Sequence, residues 1–303
     1  MKKALLLLLS LVMVAGFVFA NGDGDASGST AVMADPVEEA AIAYFADFPE
    51  GGYIIKEDVF IDKVKAGEDM FIIDIRQPDV YSEGHVTGAV NMPWGSDLGA
   101  QMSLIPQTGN VYVYCYTGQT AGQTVAVMNV LGIPAKSVRY GFVRGISTVD
   151  GFESVVDADS VMIAQIANDI DPALQAAADD YFGSLPGNAP FKNNIIASAD
   201  AAAILAAGDD SVQFVDARKA EDYAKGHIDT AISMPYAAGM QASFANLPAD
   251  KKLIVNCYSG QTAGQTVGIL RLLGYDAASL KHGMGTGKTG DTGWANEGFE
   301  LVK

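Results

Sequence analysis

Cysteine, histidine and basic residues are scarce in this sequence, and each shortage narrows the range of functions. Its 303 residues include two cysteines and three histidines, and 19 lysines and arginines stand against 36 aspartates and glutamates. The formal net charge of −17 argues against nucleic acid or an anionic membrane surface as a partner. Neither cysteine has a second cysteine or histidine at metal-ligand spacing, so the sequence implies no metal and no organic cofactor.

A long apolar run occurs only near the start of the chain, where Ala4–Phe19 follows two lysines. This pattern predicts a secretory signal peptide over residues 1–20, cleaved after Ala20. The mature protein would then be periplasmic or secreted, with no membrane contact after cleavage. A retained membrane anchor is the alternative. The stretch rich in Gly, Ser and Asp that follows is interpreted as a flexible tether over residues 21–37.

An internal repeat dominates the rest of the sequence. The segment Cys115–Val125 recurs with a single change as Cys257–Val267. The two cysteines of the chain are the first residues of these two copies. Two copies of one scaffold need the same hydrophobic periodicity, but they do not need the same polar residues in a loop. The repeated loop is therefore predicted to be a site rather than part of the core. A disulfide between the cysteines would need Cα atoms within about 7 Å of each other, and equivalent positions of separate repeats do not favour it.

Short apolar runs alternate with helical patterns in both halves, which predicts an α/β fold. We expect two repeated domains, each a small parallel sheet flanked by helices, at residues 38–156 and 175–303. The Ala-rich segment between them is predicted to form a helical linker over residues 157–174. Buried strands are predicted at Met70–Ile75, Val111–Tyr114, Val212–Ala217 and Leu253–Asn256.

The cysteines fall where a predicted strand turns into a helix. Ligands of open α/β sheets bind at the carboxyl ends of the strands, and a helix N-terminus adds unpaired N–H groups there. These groups can hold an anion above the sulfur and stabilise the thiolate, which is the reactive form. Cys115 and Cys257 are therefore the candidate catalytic residues. The candidate substrate-binding residues are the rest of both loops: Tyr116, Thr117, Gly118, Gln119, Thr120, Ala121, Tyr258, Ser259, Gly260, Gln261, Thr262 and Ala263.

The ordered set of motifs resembles the rhodanese family in its tandem form. The resemblance extends over both halves and rests on the Cys-x-x-Gly-x-Thr-Ala loops, with three further pairs of motifs: Asp74–Ile75–Arg76 and Asp216–Ala217–Arg218, Gly84–His85–Val86 and Gly226–His227–Ile228, and Met92–Pro93 and Met234–Pro235. The resemblance implies a sulfurtransferase that accepts sulfane sulfur onto cysteine as a persulfide. It would pass that sulfur to a thiophilic acceptor such as cyanide or a thiol.

Some positions depart from the family pattern and leave the donor open. Tyr116 and Tyr258 stand where some thiosulfate-using members have a basic residue, so thiosulfate, a polysulfide or a mercapto-acid all remain candidate donors. A non-catalytic sulfur or anion carrier, or a redox-sensing binding module, is the alternative function. Because the loops differ only by Thr117 against Ser259, both halves are expected to load sulfur.

Other polar residues are given structural interpretations. Related phosphatases place arginine where this chain has Ala121 and Ala263, so a phosphoryl group would lack its bidentate partner. The histidines that precede the short strands, His85 and His227, are interpreted as packing or turn-forming residues. The Asp/Arg pairs at the end of the first predicted strand of each half are interpreted as ion pairs that fix the loop after the strand, with contact to substrate as the alternative.

Overall fold

The computed structural model describes residues 35–162 and 168–303. The predicted signal peptide, and the predicted tether as far as residue 34, lie outside the described residues. Both repeats belong to one compact unit, Ala34–Lys303. Within the described ranges, no helix is long and apolar enough to cross a membrane.

The first repeat contains five α-helices and seven strands among the described residues. They are α1 (Pro36–Ala46), β1 (Ile54–Ile55), α2 (Glu57–Lys65), β2 (Phe71–Asp74), α3 (Pro78–Glu83), β3 (His85–Val86), β4 (Val90–Asn91), β5 (Val111–Tyr114), α4 (Gln119–Val130), β6 (Ala135–Val138), α5 (Gly141–Arg144) and β7 (Val156–Asp157). The five-stranded sheet has the order β1-β6-β5-β2-β4, and its strands are all parallel. The strand that leads to Cys115 is therefore central.

The second repeat has the same organisation. Its elements are α6 (Pro172–Gly183), β8 (Ile195–Ile196), α7 (Ser198–Ala206), β9 (Val212–Asp216), α8 (Ala220–Lys225), β10 (Ile232–Ser233), β11 (Lys252–Asn256), α9 (Gln261–Leu272) and β12 (Ala277–Leu280). The parallel order β8-β12-β11-β9-β10 corresponds strand by strand to that of the first repeat. The predicted fold class, two repeated parallel α/β domains, is confirmed.

The two repeats pack against each other through α4 and α9, the helices that follow the cysteine loops. In addition, the first helix of each repeat packs against the other repeat. Helices α4 and α9 form the largest contact, and both are buried along most of their length. Helix α1 packs against the 3-10 helix Met240–Asn246 of the second repeat, while α6 packs against the 3-10 helix Ser96–Leu104 of the first. Gln175 on α6 donates to the Gly99 carbonyl at 3.0 Å. Residues of both repeats therefore share one apolar core cluster, which is the largest among the described residues.

In its described part, the predicted helical linker over residues 157–174 is helical only at its end, where Pro172, Ala173 and Leu174 begin helix α6. Residues 158–162 and 168–171 are not helical, and residues 163–167 of the prediction lie outside the described residues. Helix α6 begins at Pro172, because the side chain of Asp171 caps it by accepting from the N–H of Ala173 at 2.8 Å. The Ala-rich periodicity thus belongs to the first helix of the second repeat, and Asp157 instead pairs with His85 in a short antiparallel ladder.

Candidate active site

Each cysteine lies directly after a central strand, at the start of the loop that leads into α4 or α9. Cys115 and Cys257 are free, with side chains only 2% and 1% exposed. The Sγ atom of Cys115 accepts hydrogen bonds from the backbone N–H of Gly118 at 3.1 Å and of Ala121 at 3.5 Å. The Sγ atom of Cys257 accepts the corresponding bond from Gly260 at 3.1 Å. Backbone donors directed at a sulfur atom stabilise negative charge on it.

The turn between cysteine and helix requires glycine in the left-handed region. Gly118 precedes α4 with a φ of 92°, and Gly260 precedes α9 with a φ of 90°. Residues with a side chain rarely adopt this conformation. A Cβ atom at Gly118 would also lie 2.8 Å from the Oε1 atom of Gln261. Glycine is therefore needed both to direct its N–H toward the sulfur and to let the other repeat approach.

The backbone of each cysteine is held by the segment that follows the last strand of its sheet. The Phe142 N–H donates to the Cys115 carbonyl at 2.7 Å, and the Met284 N–H donates to the Cys257 carbonyl at 2.8 Å. A Cβ atom at Gly141 would lie 2.5 Å from the Cys115 carbonyl oxygen. This close support fixes the direction in which each loop leaves its strand.

The exposed part of each loop consists of its tyrosine and hydroxyl side chains. Tyr116 and Tyr258 are each 38% exposed, and each hydroxyl oxygen accepts a backbone N–H, from Gln77 and Lys219 respectively, at 3.3 Å. The Tyr258 hydroxyl also donates to Asp222 at 2.5 Å. The predicted hydroxyl donors of the loops are half-buried next to these tyrosines: Thr117, Thr120, Ser259 and Thr262. These side chains are the ones that a ligand over the loop can reach.

The side chains of the two loop glutamines are directed away from their own cysteines and into the opposite repeat. Gln119 donates to the Ser279 hydroxyl at 2.7 Å and to the Leu280 carbonyl at 3.0 Å. Gln261 makes the equivalent bonds, to the Ser137 hydroxyl at 2.8 Å and the Val138 carbonyl at 3.1 Å. Both glutamines were predicted to bind substrate. Because their side chains are committed to the interface, only their backbone N–H groups remain for that role.

A second pair of repeated glutamines extends this buried network, and sequence reasoning missed its role. Gln123 donates to the Asn193 carbonyl at 3.1 Å and accepts from the Tyr181 hydroxyl at 2.6 Å. Gln265 donates to the Tyr53 carbonyl at 3.2 Å and accepts from the Tyr44 hydroxyl at 3.1 Å. The signal was present in the sequence as a glutamine pair repeated in both halves. These hydrogen bonds explain part of the sequence identity between the two repeated segments, which had indicated a site.

The glycine inside each of the helices α4 and α9 is also explained by the contact between the repeats. A Cβ atom at Gly122 would lie 2.4 Å from the Gln261 carbonyl oxygen, and one at Gly264 would lie 2.5 Å from that of Gln119. The two helices cross at these glycines. The repeated loop is therefore both a cysteine turn and the contact surface between repeats.

The interpretation of the Asp/Arg pairs as ion pairs is confirmed. Arg76 lies 2.6 Å from Asp74, and Arg218 lies 2.6 Å from Asp216, with both carboxylates fully buried. Burial lowers the pKa of Arg76, but the hydrogen bonds and charge of Asp74 outweigh it and raise the pKa above its usual value. Arg76 also donates to the Gly84 carbonyl at 2.7 Å, so the pair fixes the backbone that precedes β3.

The two repeated histidines pack against tyrosines. The His85 ring stacks on Tyr81 at a centroid distance of 3.7 Å, and the His227 ring stacks on Tyr223 at 3.8 Å. Each Nδ1 lies within hydrogen-bond distance of the carbonyl of the stacked tyrosine. Their packing interpretation is confirmed. Within the part of the chain that the structure describes, no cluster of three or more histidine, cysteine or acidic residues could hold a metal ion.

Comparison with known proteins agrees with this geometry. The family model of the rhodanese-like domain matches twice, at residues 58–153 and 199–286. A putative sulfur carrier protein, YrkF of Bacillus subtilis (strain 168), is 24% identical over 32% of this chain and 47% of its own length. The thiosulfate sulfurtransferase PspE of Escherichia coli (strain K12) is 33% identical over 20% of this chain and 59% of its own length. The chain thus spans about half the length of these curated relatives.

Solved structures also align with the chain. The structure of SseA from Escherichia coli, described as showing the rhodanese fold of 3-mercaptopyruvate sulfotransferases, is 19% identical, with a TM-score of 0.33. That alignment covers 76% of this chain and 97% of SseA.

Proposed function

Because the chain belongs to the family of rhodanese-like domains and contains two of them, we propose that it is a sulfurtransferase that carries sulfane sulfur on Cys115 and Cys257. The observation that carries the proposal is the pair of free cysteine sulfurs, each facing backbone donors at the turn between a central strand and a helix. Such a turn supplies a nucleophile and an anion-binding surface together.

The proposed transfer has two steps. The thiolate attacks the outer sulfur of the donor, the donor's sulfur–sulfur bond breaks, and the donor remainder leaves with the bonding electron pair. With thiosulfate, the products are a cysteine persulfide and sulfite. A thiol or cyanide then attacks the outer sulfur of the persulfide, which restores the cysteine thiolate. The N–H groups of Gly118 and Ala121 would stabilise the charge on the sulfur of Cys115 in both steps.

A non-catalytic sulfur or anion carrier, or a redox-sensing binding module, is the second candidate. It is favoured by the net charge of −17 and by loops without lysine or arginine, because a dianionic donor is repelled at long range. Turnover separates the two functions. An enzyme accelerates sulfur transfer from thiosulfate or polysulfide to cyanide or a thiol over many cycles, whereas a carrier loads once and gives no sustained rate. Stoichiometric loading without turnover would support the carrier.

Export of the protein is also proposed, on the pattern of residues 1–20 alone. Fractionation of cells that express the full chain tests it. The expected product is a periplasmic or secreted protein that begins at Asn21. A full-length product in the membrane fraction would support the retained anchor instead.

A further inference from the structure

The glycine whose N–H group faces each cysteine sulfur lies against a glutamine side chain of the other repeat. A Cβ atom at Gly118 would lie 2.8 Å from the Oε1 atom of Gln261, and one at Gly260 would lie 2.8 Å from the Oε1 atom of Gln119. Both glutamines are buried. Because protein interiors are close-packed, a filled space beside a backbone group limits its movement. Each glutamine therefore restrains the peptide group that donates to the sulfur of the other repeat.

Each glutamine also holds the turn that supports the other cysteine loop. In the first repeat this turn contains Tyr140 and Gly141, with φ angles of 61° and 62°. Gln261 bonds to the backbone at the start of the turn: it donates to the Val138 carbonyl at 3.1 Å and accepts from the Tyr140 N–H at 3.1 Å. A left-handed conformation is unfavourable for tyrosine and persists only where the surroundings hold it. The bonds of Gln261 supply part of that restraint.

The turn is packed directly on the cysteine loop. A Cβ atom at Gly141 would lie 2.7 Å from the backbone nitrogen of Gly118. That nitrogen carries the N–H group that donates to the Sγ atom of Cys115 at 3.1 Å. A shift of the turn would therefore move the donor of the sulfur. A change at Gln261 can thus reach Cys115 by two short routes, one directly through Gly118 and one through the turn.

The second repeat has the same arrangement. Its supporting turn contains His282 and Gly283, with φ angles of 60° and 57°. Gln119 donates to the Leu280 carbonyl at 3.0 Å and accepts from the His282 N–H at 3.3 Å. A Cβ atom at Gly283 would lie 3.0 Å from the nitrogen of Gly260, whose N–H faces the second cysteine sulfur. The contact is therefore reciprocal, and each loop depends on a side chain of the opposite repeat.

We propose that Gln261 is a positioning residue for Cys115 and that Gln119 is a positioning residue for Cys257. Each glutamine acts through the loop of the other repeat, where it keeps the glycine N–H directed at the sulfur. That donor stabilises the thiolate over the thiol, so the reactivity of each cysteine depends on the opposite repeat. The effect on thiol reactivity does not depend on sulfur transfer, whereas its effect on turnover rests on the proposed function.

The pH dependence of cysteine alkylation tests the proposal. The full chain is treated with iodoacetamide, a neutral reagent, and peptide mapping follows Cys115 and Cys257 separately. The midpoint of each pH profile reports formation of the thiolate, whereas the rate at high pH reports access to the sulfur. A substitution that only loosens the protein changes access and leaves the midpoint in place.

The titratable side chains near Cys257 leave its profile readable. Burial lowers the pKa of His282 to about 4. Burial also raises the pKa of Tyr236 and of Tyr258 above the usual value of 10. A midpoint measured between these limits therefore belongs to the cysteine.

The decisive variant is Gln119→Met, which keeps the length of the side chain but removes its hydrogen bonds to the turn of the second repeat. We expect the midpoint of Cys257 to rise by about half to one pH unit, so that alkylation below the midpoint is about three- to tenfold slower. The midpoint of Cys115 should move less. Gln261→Met should give the reverse pattern, with the larger shift at Cys115.

The matched control is Gln123→Met on the same helix. Gln123 lies one turn beyond Gln119 and also bonds across the boundary, but to the Asn193 carbonyl rather than to the supporting turn. This variant loses contacts between the repeats and should leave both midpoints unchanged. Ser279→Ala is a milder second variant, because it removes only one of the bonds of Gln119. It should shift the midpoint of Cys257 in the same direction by a smaller amount.

Unmoved midpoints, equal shifts at both cysteines, or a larger shift at the variant's own cysteine would overturn the inference. Sulfur loading from polysulfide is measured on the same proteins to separate this failure from failure of the proposed function. Loading of both cysteines without the crossed alkylation pattern would overturn the positioning roles and leave sulfur transfer standing. The crossed pattern without sulfur on either cysteine would support the positioning roles and overturn the transfer function.

Discussion

The side-chain nitrogen of Gln119 donates to the hydroxyl of Ser279 at 2.7 Å, across the boundary between the repeats. The same side chain accepts from the backbone N–H of His282 at 3.3 Å, two residues before the segment that supports the Cys257 carbonyl. Gln261 makes the reciprocal contact with Tyr140, close to the segment that supports Cys115. The start of each cysteine helix is thus bonded to the support of the other cysteine loop.

Replacement of this glutamine should destabilise the whole protein. Gln119→Leu removes one hydrogen-bond partner each from the Ser279 hydroxyl, the Leu280 carbonyl and the His282 N–H, all at a buried contact between the repeats, so we expect a loss of about 2–4 kcal/mol in the free energy of unfolding. Urea denaturation measures it. Gln101→Leu is the control, because Gln101 makes one local bond, to the Asp97 carbonyl at 3.2 Å. Equal losses in the two variants would mean that the hydrogen bonds of Gln119 between the repeats stabilise the protein no more than the single local bond of Gln101.

A second prediction concerns Gly122, where α4 crosses α9. Helix propensity alone would favour Gly122→Ala by about 1 kcal/mol. The new Cβ atom would lie 2.4 Å from the Gln261 carbonyl oxygen, however, and backbone must move to relieve that contact. We expect a net destabilisation of about 2–4 kcal/mol. Gly287→Ala, which would meet no atom within 4 Å, is the control and should change stability little. A Gly122→Ala variant as stable as the wild type would place the helices further apart than described.

Stability should also depend on pH through His282. Burial lowers the pKa of this side chain from 6.5 to about 4, with smaller contributions from Arg144 and Lys281 that Glu297 opposes. The unfolded chain therefore binds more protons than the folded one between pH 6.5 and 4, and the folded state loses stability as the pH falls through that window.

The test compares wild type with His282→Asn, since asparagine tolerates the φ of 60° at this position. Urea titrations at pH 7 and pH 4 should show that the wild type loses about 1–2 kcal/mol more than the variant, because the residue is still 8% exposed to solvent, which weakens the full effect. Identical losses in both proteins would rule out His282 as the titrating group.

The strands and the cysteine turns could be predicted because they depend on local patterns. The apolar runs before Cys115 and Cys257 form the central strands β5 and β11, and the helices that follow start directly after the glycine of each loop. The linker helix was predicted to begin too early, because an Ala-rich period does not mark where a helix begins, whereas Asp171 followed by Pro172 does.

The roles of Gln119 and of Gln123 depend on contacts between distant parts of the chain. Gln119 bonds to the Ser279 hydroxyl of the second repeat, and Gln123 bonds to the Asn193 carbonyl of that repeat. A sequence repeat indicates that two segments share a constraint, but it does not say whether that constraint is a ligand or the other copy. Here the glutamines and glycines of the repeated segment form the contact between the repeats, whereas the cysteines are the candidates for a chemical role.

Whether Cys115 and Cys257 carry sulfur can be read directly from the mass of the protein after treatment with polysulfide. We expect the wild type to gain up to two sulfur atoms, Cys115→Ser and Cys257→Ser to gain one each at the remaining cysteine, and the double variant to gain none. Both cysteines keep their backbone donors at 3.1 Å, so each single variant should still load from this small donor. A folded wild type that gains no sulfur, or a double variant that still gains it, would contradict the account.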